Sequence, residues 1–475
     1  MISESRYPAS NVAASPMRKV IYGQFSQGPT QLTKRLFEIR RQWRIREQKR
    51  VKRRRNRFRK RPQVIRFAYS SIRRTDHQRE IRVAQYPKRQ VRKIEIPAVF
   101  SIIDDPETAI EMLDRLAKFA NDRSVRLIQI DHSKCVALGL CASTAMDVIL
   151  LNAQSARKSG NALHFQGQMA KVDAVNLMLR ASGILRHLGL PESRLPPELE
   201  EKIRRCDLFR GKQNRIELGL KRDVAATSLT DYFDSCLRGL GHELTLKGRS
   251  YLSQLITEII GNAEEHGGPW ATIGHWYFTG TPEQRFGECH LVLMDQGNTI
   301  YESLSMQNQS EELLTQLRSI SDLHRRQGFF SFARERWDEE TLWTLYALQE
   351  RVSRYAGTPR GKDRGNGTVN FIEFFRKLAG ESGKMCICSG KAYILFDGKY
   401  HLQEVPRGDE MLKVIAFNAE NDLERPPDAE YVHRLSYSFP GTIVSIRLTL
   451  DESYLSRLAS SNGDQDDYRD SNQSE

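Results

Sequence analysis

Apolar residues return at three- and four-residue steps between positions 251 and 268. Leu252, Leu255, Ile256, Ile259, Ile260 and Ala263 make one wide face of a predicted helix. Gln254, Glu258, Asn262 and His266 stand four apart and form a polar stripe on another side. Gly267 and Gly268 then end the helix. A stripe left to solvent would favour Lys, Arg and Glu. This one sets a carboxylate, a carboxamide and an imidazole one turn apart, the groups needed to hold a metal and polarise a water. The plainer reading is an amphipathic helix with a polar outer face.

The same patterning organises the rest of the chain. Between 93 and 190, strand-like runs at 94–102, 125–131 and 162–166 alternate with helical ones at 106–121, 142–158 and 172–182, which predicts an α/β unit. The longest apolar run, 136–151, carries Asp147 and many small residues, so it reads as a buried helix rather than a membrane span. Residues 191–224 hold three prolines and a charged stretch, and read as a linker. A helix over 229–240 precedes the two-faced helix. Strands follow at 270–278 and 289–295, then polar helical sequence over 301–356 with Leu313, Leu314, Leu317, Leu342, Leu345 and Leu348. Strands at 384–389, 392–396 and 441–448 close the folded part.

At 475 residues the chain is long enough for two or three domains. No N-terminal apolar segment of the secretory kind is visible. Seven scattered cysteines suit a reducing compartment, so a cytoplasmic location is expected. Cys386 and Cys388 have no second Cys or His pair at zinc spacing. Charge adds the strongest anomaly. Residues 34–61 hold twelve Arg and four Lys against Glu38 and Glu47, a net charge of +14 that equals the charge of the whole chain. The basic character therefore belongs to one arm. Leu32, Leu36, Ile39 and Trp43 give that arm a short apolar stripe. Arg-rich sequence suits phosphate, because guanidinium groups fork oxygens bidentately. An acidic protein surface, an anionic membrane and plain solvation stay open, and the tail from Ala459, net −4, is one such acidic surface. Residues 1–30, rich in Ser, Pro, Gly and Gln, predict disorder.

The run Glu258-x-x-x-Asn262-Ala-x-x-His266-Gly267 resembles the asparagine box of the GHKL ATP-binding superfamily, nearest to that of the anti-sigma serine kinases. Asp295-Gln-Gly297-Asn-Thr299 resembles the first glycine box, with Thr299 where the second glycine would stand. The stretch 357–367, which includes Lys362, Arg364, Gly365 and Gly367 and leads into a helix, resembles the second box, where backbone amides at a positive helix end hold anions. Gly441-Thr442 resembles the Gly-Thr that precedes the last strand of such domains. The resemblance implies ATP and Mg2+ as ligands. Glu258 would be the general base, Asn262 the metal ligand, and Asp295 with Thr442 the adenine readers. His266, Gly297, Thr299, Lys362, Arg364, Gly365 and Gly367 would complete the cofactor site. The element order over 93–190 resembles a STAS domain, the fold of anti-sigma factor antagonists. Its phosphorylated-serine motif is replaced by Leu138-Gly139-Leu140-Cys141, which favours docking of a protein partner over a phosphorylation switch.

The resulting expectation is an α/β protein of two domains with a basic N-terminal arm. The arm covers 1–92, the STAS-like domain 93–190, the linker 191–224, a GHKL-type α/β sandwich 225–452 and an acidic tail 453–475. Three activities stay open: an ATPase whose nucleotide state gates a conformational change, a protein serine kinase, and a nucleotide sensor with little turnover. No membrane span is expected, and a homodimer is compatible with the resemblance.

If the arm binds nucleic acid, it does so through phosphates, since it offers no base-reading pattern. Binding should then be nearly sequence-independent and fall steeply with salt. Deleting 30–62 should abolish it. A truncated protein that still retains DNA or RNA at low salt would place the site in the body.

Overall fold

The computed structural model describes residues 86–157, 161–189, 193–211, 220–267, 269–280, 285–306, 311–327, 337–350, 367–379, 383–407 and 410–457. The basic arm, the tail from 459, and Lys362, Arg364 and Gly365 lie outside them. The described chain is a mixed α/β fold. None of its helices is long and apolar enough to cross a membrane.

The N-terminal module opens with β1 (Val91–Glu95) and β2 (Val99–Phe100). The sequence pattern suggested one strand here. Pro97 interrupts it, because proline cannot donate to a ladder. Helix α1 (Pro106–Asn121) starts where Asp105 caps the amide of Thr108 and Pro106 sits in the first turn. It buries Ala109, Ile110, Met112, Leu113, Leu116 and Ala120. Then come β3 (Leu127–Asp131), β4 (Ala137–Leu138), α2 (Leu140–Ser155), β5 (His164–Gln168), α3 (Asp173–Ser182) and the single turn α4 (Ile184–His187). Strands β1, β3 and β5 pair in parallel in that order, and β2 pairs with β4. Nearly all of α2 is buried, as its unbroken apolar run predicts.

The second module is built on β6 (Ile203–Gly211), α5 (Leu220–Arg238), α6 (Leu246–Asn262), β7 (Trp270–Gly280) and β8 (Arg285–Asp295). It continues through α7 (Ile300–Leu304), α8 (Glu311–Gln327), α9 (Glu339–Tyr346), α10 (Gly367–Ala379) and β9 (Lys384–Phe396). The hairpin β10 (Gln403–Arg407) and β11 (Glu410–Val414) and the long β12 (Val432–Asp451) complete it. Five strands form an antiparallel sheet in the order β6-β7-β8-β12-β9.

Two sequence expectations need correction here. The presumed linker contains β6, and α5 begins at Leu220. Arginines at 204, 205 and 210 and a register shift between Cys206 and Phe209 hide the strand's period. Arg204 lies over the ring of Phe278 at 5.4 Å, so its charge tops an apolar contact. Gly441 and Thr442 sit inside β12 rather than ahead of it, since the strand runs on through register shifts at Phe439.

Strand alternation sends side chains to two sides. Trp270, Trp276, Cys289, Leu291, Leu293, Ile446 and Leu448 face a core shared with α5, α6 and α10. Ala271, Ile273, Val292, Met294, Cys386, Cys388 and Ile443 join the core of the N-terminal module. That module therefore covers the sheet's second face. Polar contacts pin the two together. Arg447 donates two hydrogen bonds of 2.7 Å to Asp104, and the Tyr393 hydroxyl donates to the carbonyl of Ile103 at 2.9 Å. The Ser436 amide donates to Glu107, and Ser182 Oγ lies 2.7 Å from His275 Nδ1.

Ile273→Ala should cost about 2–4 kcal/mol, the usual range for a truncated buried Ile. Amide exchange should quicken in α2 as well as in β7. Quickening confined to the sheet would contradict a shared core.

Candidate functional site

Helix α6 begins where the Thr245 hydroxyl accepts the amide of Gly248 at 3.0 Å. Leu252, Leu255, Ile256 and Ile260 are buried, while Gln254, Glu258 and Asn262 are exposed along one stripe. Asn262 is the last α-helical residue. The chain then widens into a π turn, Ala263–Gly267, which contains His266. Such single π turns are rare and occur frequently at functional sites. The turn packs on the ends of β7, β8 and β12.

Those strand ends carry Asp295. The residue is 7% exposed at the close of β8. Burial raises its pKa to about 7, against hydrogen bonds from the backbone amides of Gly297 and Thr442 that favour the charged form. Gly441 has φ +111, and a β-carbon there would stand 2.8 Å from Asp295 Oδ1. Glycine is required twice over, for the angle and for the space.

The expected partner residues divide as follows. Thr442 serves Asp295 through its backbone amide, whereas its hydroxyl lies 2.9 Å from Ser389 Oγ. Thr299 caps α7 in a reciprocal box with Glu302: its hydroxyl accepts the Glu302 amide at 3.0 Å, and Glu302 accepts the Thr299 amide at 3.2 Å. Ser389, which sequence reasoning did not single out, accepts the Ile300 amide at 2.9 Å and so ties the Asp295 loop to β9. Gly367 opens α10 directly against Glu258, and any β-carbon on it would collide with that carboxylate.

Two groups thus emerge. Glu258 meets Gly367 at the start of α10, and Asn262 follows one turn further along α6. Asp295, Gly297, Thr299 and Thr442 gather at the strand ends. They are linked through the π turn, because Trp270 pairs with Asp295 across the sheet and the Gln296 amide donates to the Pro269 carbonyl at 3.1 Å. Lys362, Arg364 and Gly365 fall outside the described residues. An apolar cavity of about 40 Å3 lies elsewhere, under α10 against β9 and β12, and includes none of these side chains in its lining. Among the described residues, no cluster of three or more His, Cys, Asp or Glu is placed to hold a metal. Comparison of the chain with protein-family models, curated proteins and solved structures finds no match.

Asp295 has a folded pKa above its unfolded value, so folding favours the protonated acid. The cost of ionising it grows as pH rises from about 4 and is complete above about 7. Asp295→Asn removes that cost. Its stability relative to wild type should therefore increase by about 2–3 kcal/mol between pH 5 and pH 8. Equal differences at both pH values, measured by denaturant unfolding, would contradict the burial argument.

Proposed function

We propose that this chain is an ATP-binding regulatory protein of the GHKL type, with a STAS-like module behind its ATP-binding sheet, that hydrolyses ATP to gate a conformational change. The observation that carries the reading is Asp295. A buried carboxylate held by two backbone amides, with glycine on either side, suits an acceptor for the exocyclic amino group of adenine. Its distance in sequence from the asparagine-box helix is bridged by the π turn and the Trp270–Asp295 pairing.

The other residues fit a nucleotide with its metal. Asn262 offers a carboxamide oxygen and Glu258 a carboxylate, both exposed on one stripe; Mg2+ accepts such a sparse protein set when phosphates and waters supply the remaining ligands. The N-terminus of α10 at Gly367 presents backbone amides and a positive dipole end to an anion. Lys362, Arg364 and Gly365 precede it in the chain. Bound MgATP would supply the transferable phosphoryl group. Glu258 would take the proton of the attacking water, and Asp295 would hold the base.

The N-terminal module shares its core with the sheet that bears Asp295, so a protein docking on that module would have a packed route to the site.

Two variants separate binding from chemistry. Asp295→Asn should abolish calorimetric binding of MgATP, because the amide can turn a donor toward the adenine amino group. Glu258→Ala should keep binding and slow turnover by about 10²–10⁴-fold, the range for a lost general base. Wild-type affinity in Asp295→Asn would sink the assignment. Label from ATP ending on a partner hydroxyl would mark a protein kinase, and binding without turnover a sensor.

A further inference from the structure

The buried stripe of α6 continues into the π turn in an unexpected way. Leu252, Ile256, Ile260 and Glu264 stand at four-residue steps, so a carboxylate occupies the position where the apolar stripe would extend. Glu264 is 8% exposed. Burying it is costly unless its oxygens find donors. One oxygen accepts the Trp270 indole N–H at 2.9 Å. The other faces Arg222 Nη1 at 3.7 Å. Arg222 comes from the first turns of α5 and lies against α6 beside Gly261; a β-carbon on Gly261 would stand 3.2 Å from that same nitrogen. The Arg222 Nε is buried and makes no hydrogen bond, with Asp223 at 3.6 Å as its nearest carboxylate.

This bond network has a location that matters. Trp270 is the first residue of β7 and pairs with Asp295. Gly261 and Glu264 flank Asn262. Glu264 therefore fastens the π turn to the strand register that carries Asp295, and Arg222 backs it from the neighbouring helix. Relaxing the turn would re-aim Asn262, the last residue before it.

Resting on the nucleotide reading above, we infer that Arg222, Glu264 and Trp270 are positioning residues that hold Asn262 in its metal-binding orientation relative to the base site at Asp295. They touch neither nucleotide nor metal. Outer partners of this kind typically change metal affinity by about 10–100-fold.

The test pairs Glu264→Leu with Trp270→Phe in one variant. Removing both hydrogen-bond partners together strands neither a buried donor nor a buried acceptor, while the smaller Phe ring lowers global stability through the cavity it leaves. Affinity for ATP is measured with and without Mg2+, and affinity for adenosine alongside. The Mg2+ enhancement should fall about 10–100-fold while adenosine binding stays within about threefold. Arg222→Met, a change at the core's edge, should move the enhancement in the same direction and serves if the double variant does not fold. Equal losses for ATP and adenosine, or an unchanged enhancement, would overturn the inference. If wild type binds neither ligand, the nucleotide reading fails on its own. Amide exchange over residues 262–267 then decides: about tenfold or faster exchange in the variants, with the rest of α6 unchanged, supports the positioning role, and unchanged exchange overturns it.

Discussion

The five-stranded sheet has to bury both its faces, and the rest of the structure follows from that constraint. A two-residue period alone divides Trp270, Trp276, Leu291 and Leu293 from Ala271, Ile273, Val292 and Met294. Helices α5, α6 and α10 take the first set. The N-terminal module takes the second, with Arg447–Asp104 and Tyr393–Ile103 fixing its position. A sheet clad on both sides leaves its strand ends as the place where polar backbone and side chains can meet a ligand. Asp295 and the end of α6 lie there.

The electrostatics of those ends are uneven. Asp295 is buried deeply enough for desolvation to outweigh two backbone amides, so its charge stays expensive until a further donor arrives. Glu258 is exposed beside Gly367 at the start of α10, where the helix dipole favours its negative charge and would equally favour an anion. Between them Glu264 is paired within the protein, with Trp270 and Arg222. Three carboxylates within forty residues of sequence thus have three environments: Asp295 buried at a strand end, Glu258 exposed beside α10, and Glu264 buried against Trp270.

Much of this was legible in the residues. The apolar face of α6 is buried at Leu252, Leu255, Ile256 and Ile260 and half-buried at Ile259 and Ala263, and α1 runs over the predicted span, because its cap and its three- and four-residue period agree. Strands β7 and β8 were found, though β7 runs past its expected end to Gly280 and β8 begins before its expected start, at Arg285. What escaped notice had physical causes. Strand β6 carries half-buried arginines on an edge strand, and a bulge breaks its alternation. The hairpin β10–β11 is short and polar. One strand, β9, spans the two expected runs because Gly390, at φ +62, lets the chain pass without a turn. Ser389 acts through a backbone amide of a distant loop, which no local pattern encodes. Glu264 was visible as a charged residue at an apolar step, but its role depends on Trp270 and Arg222, brought to it only by the fold.

The central claim is that the strand ends around Asp295 and the end of α6 form one nucleotide site. Equilibrium titration of the wild-type chain with MgATP, adenosine and MgGTP tests it most directly. The account predicts saturable binding of MgATP, displaced by adenosine and not by MgGTP, because Asp295 accepts a donor that guanine lacks at the matching position. Absence of saturable MgATP binding by the folded protein, or binding of MgGTP with equal affinity, would contradict it.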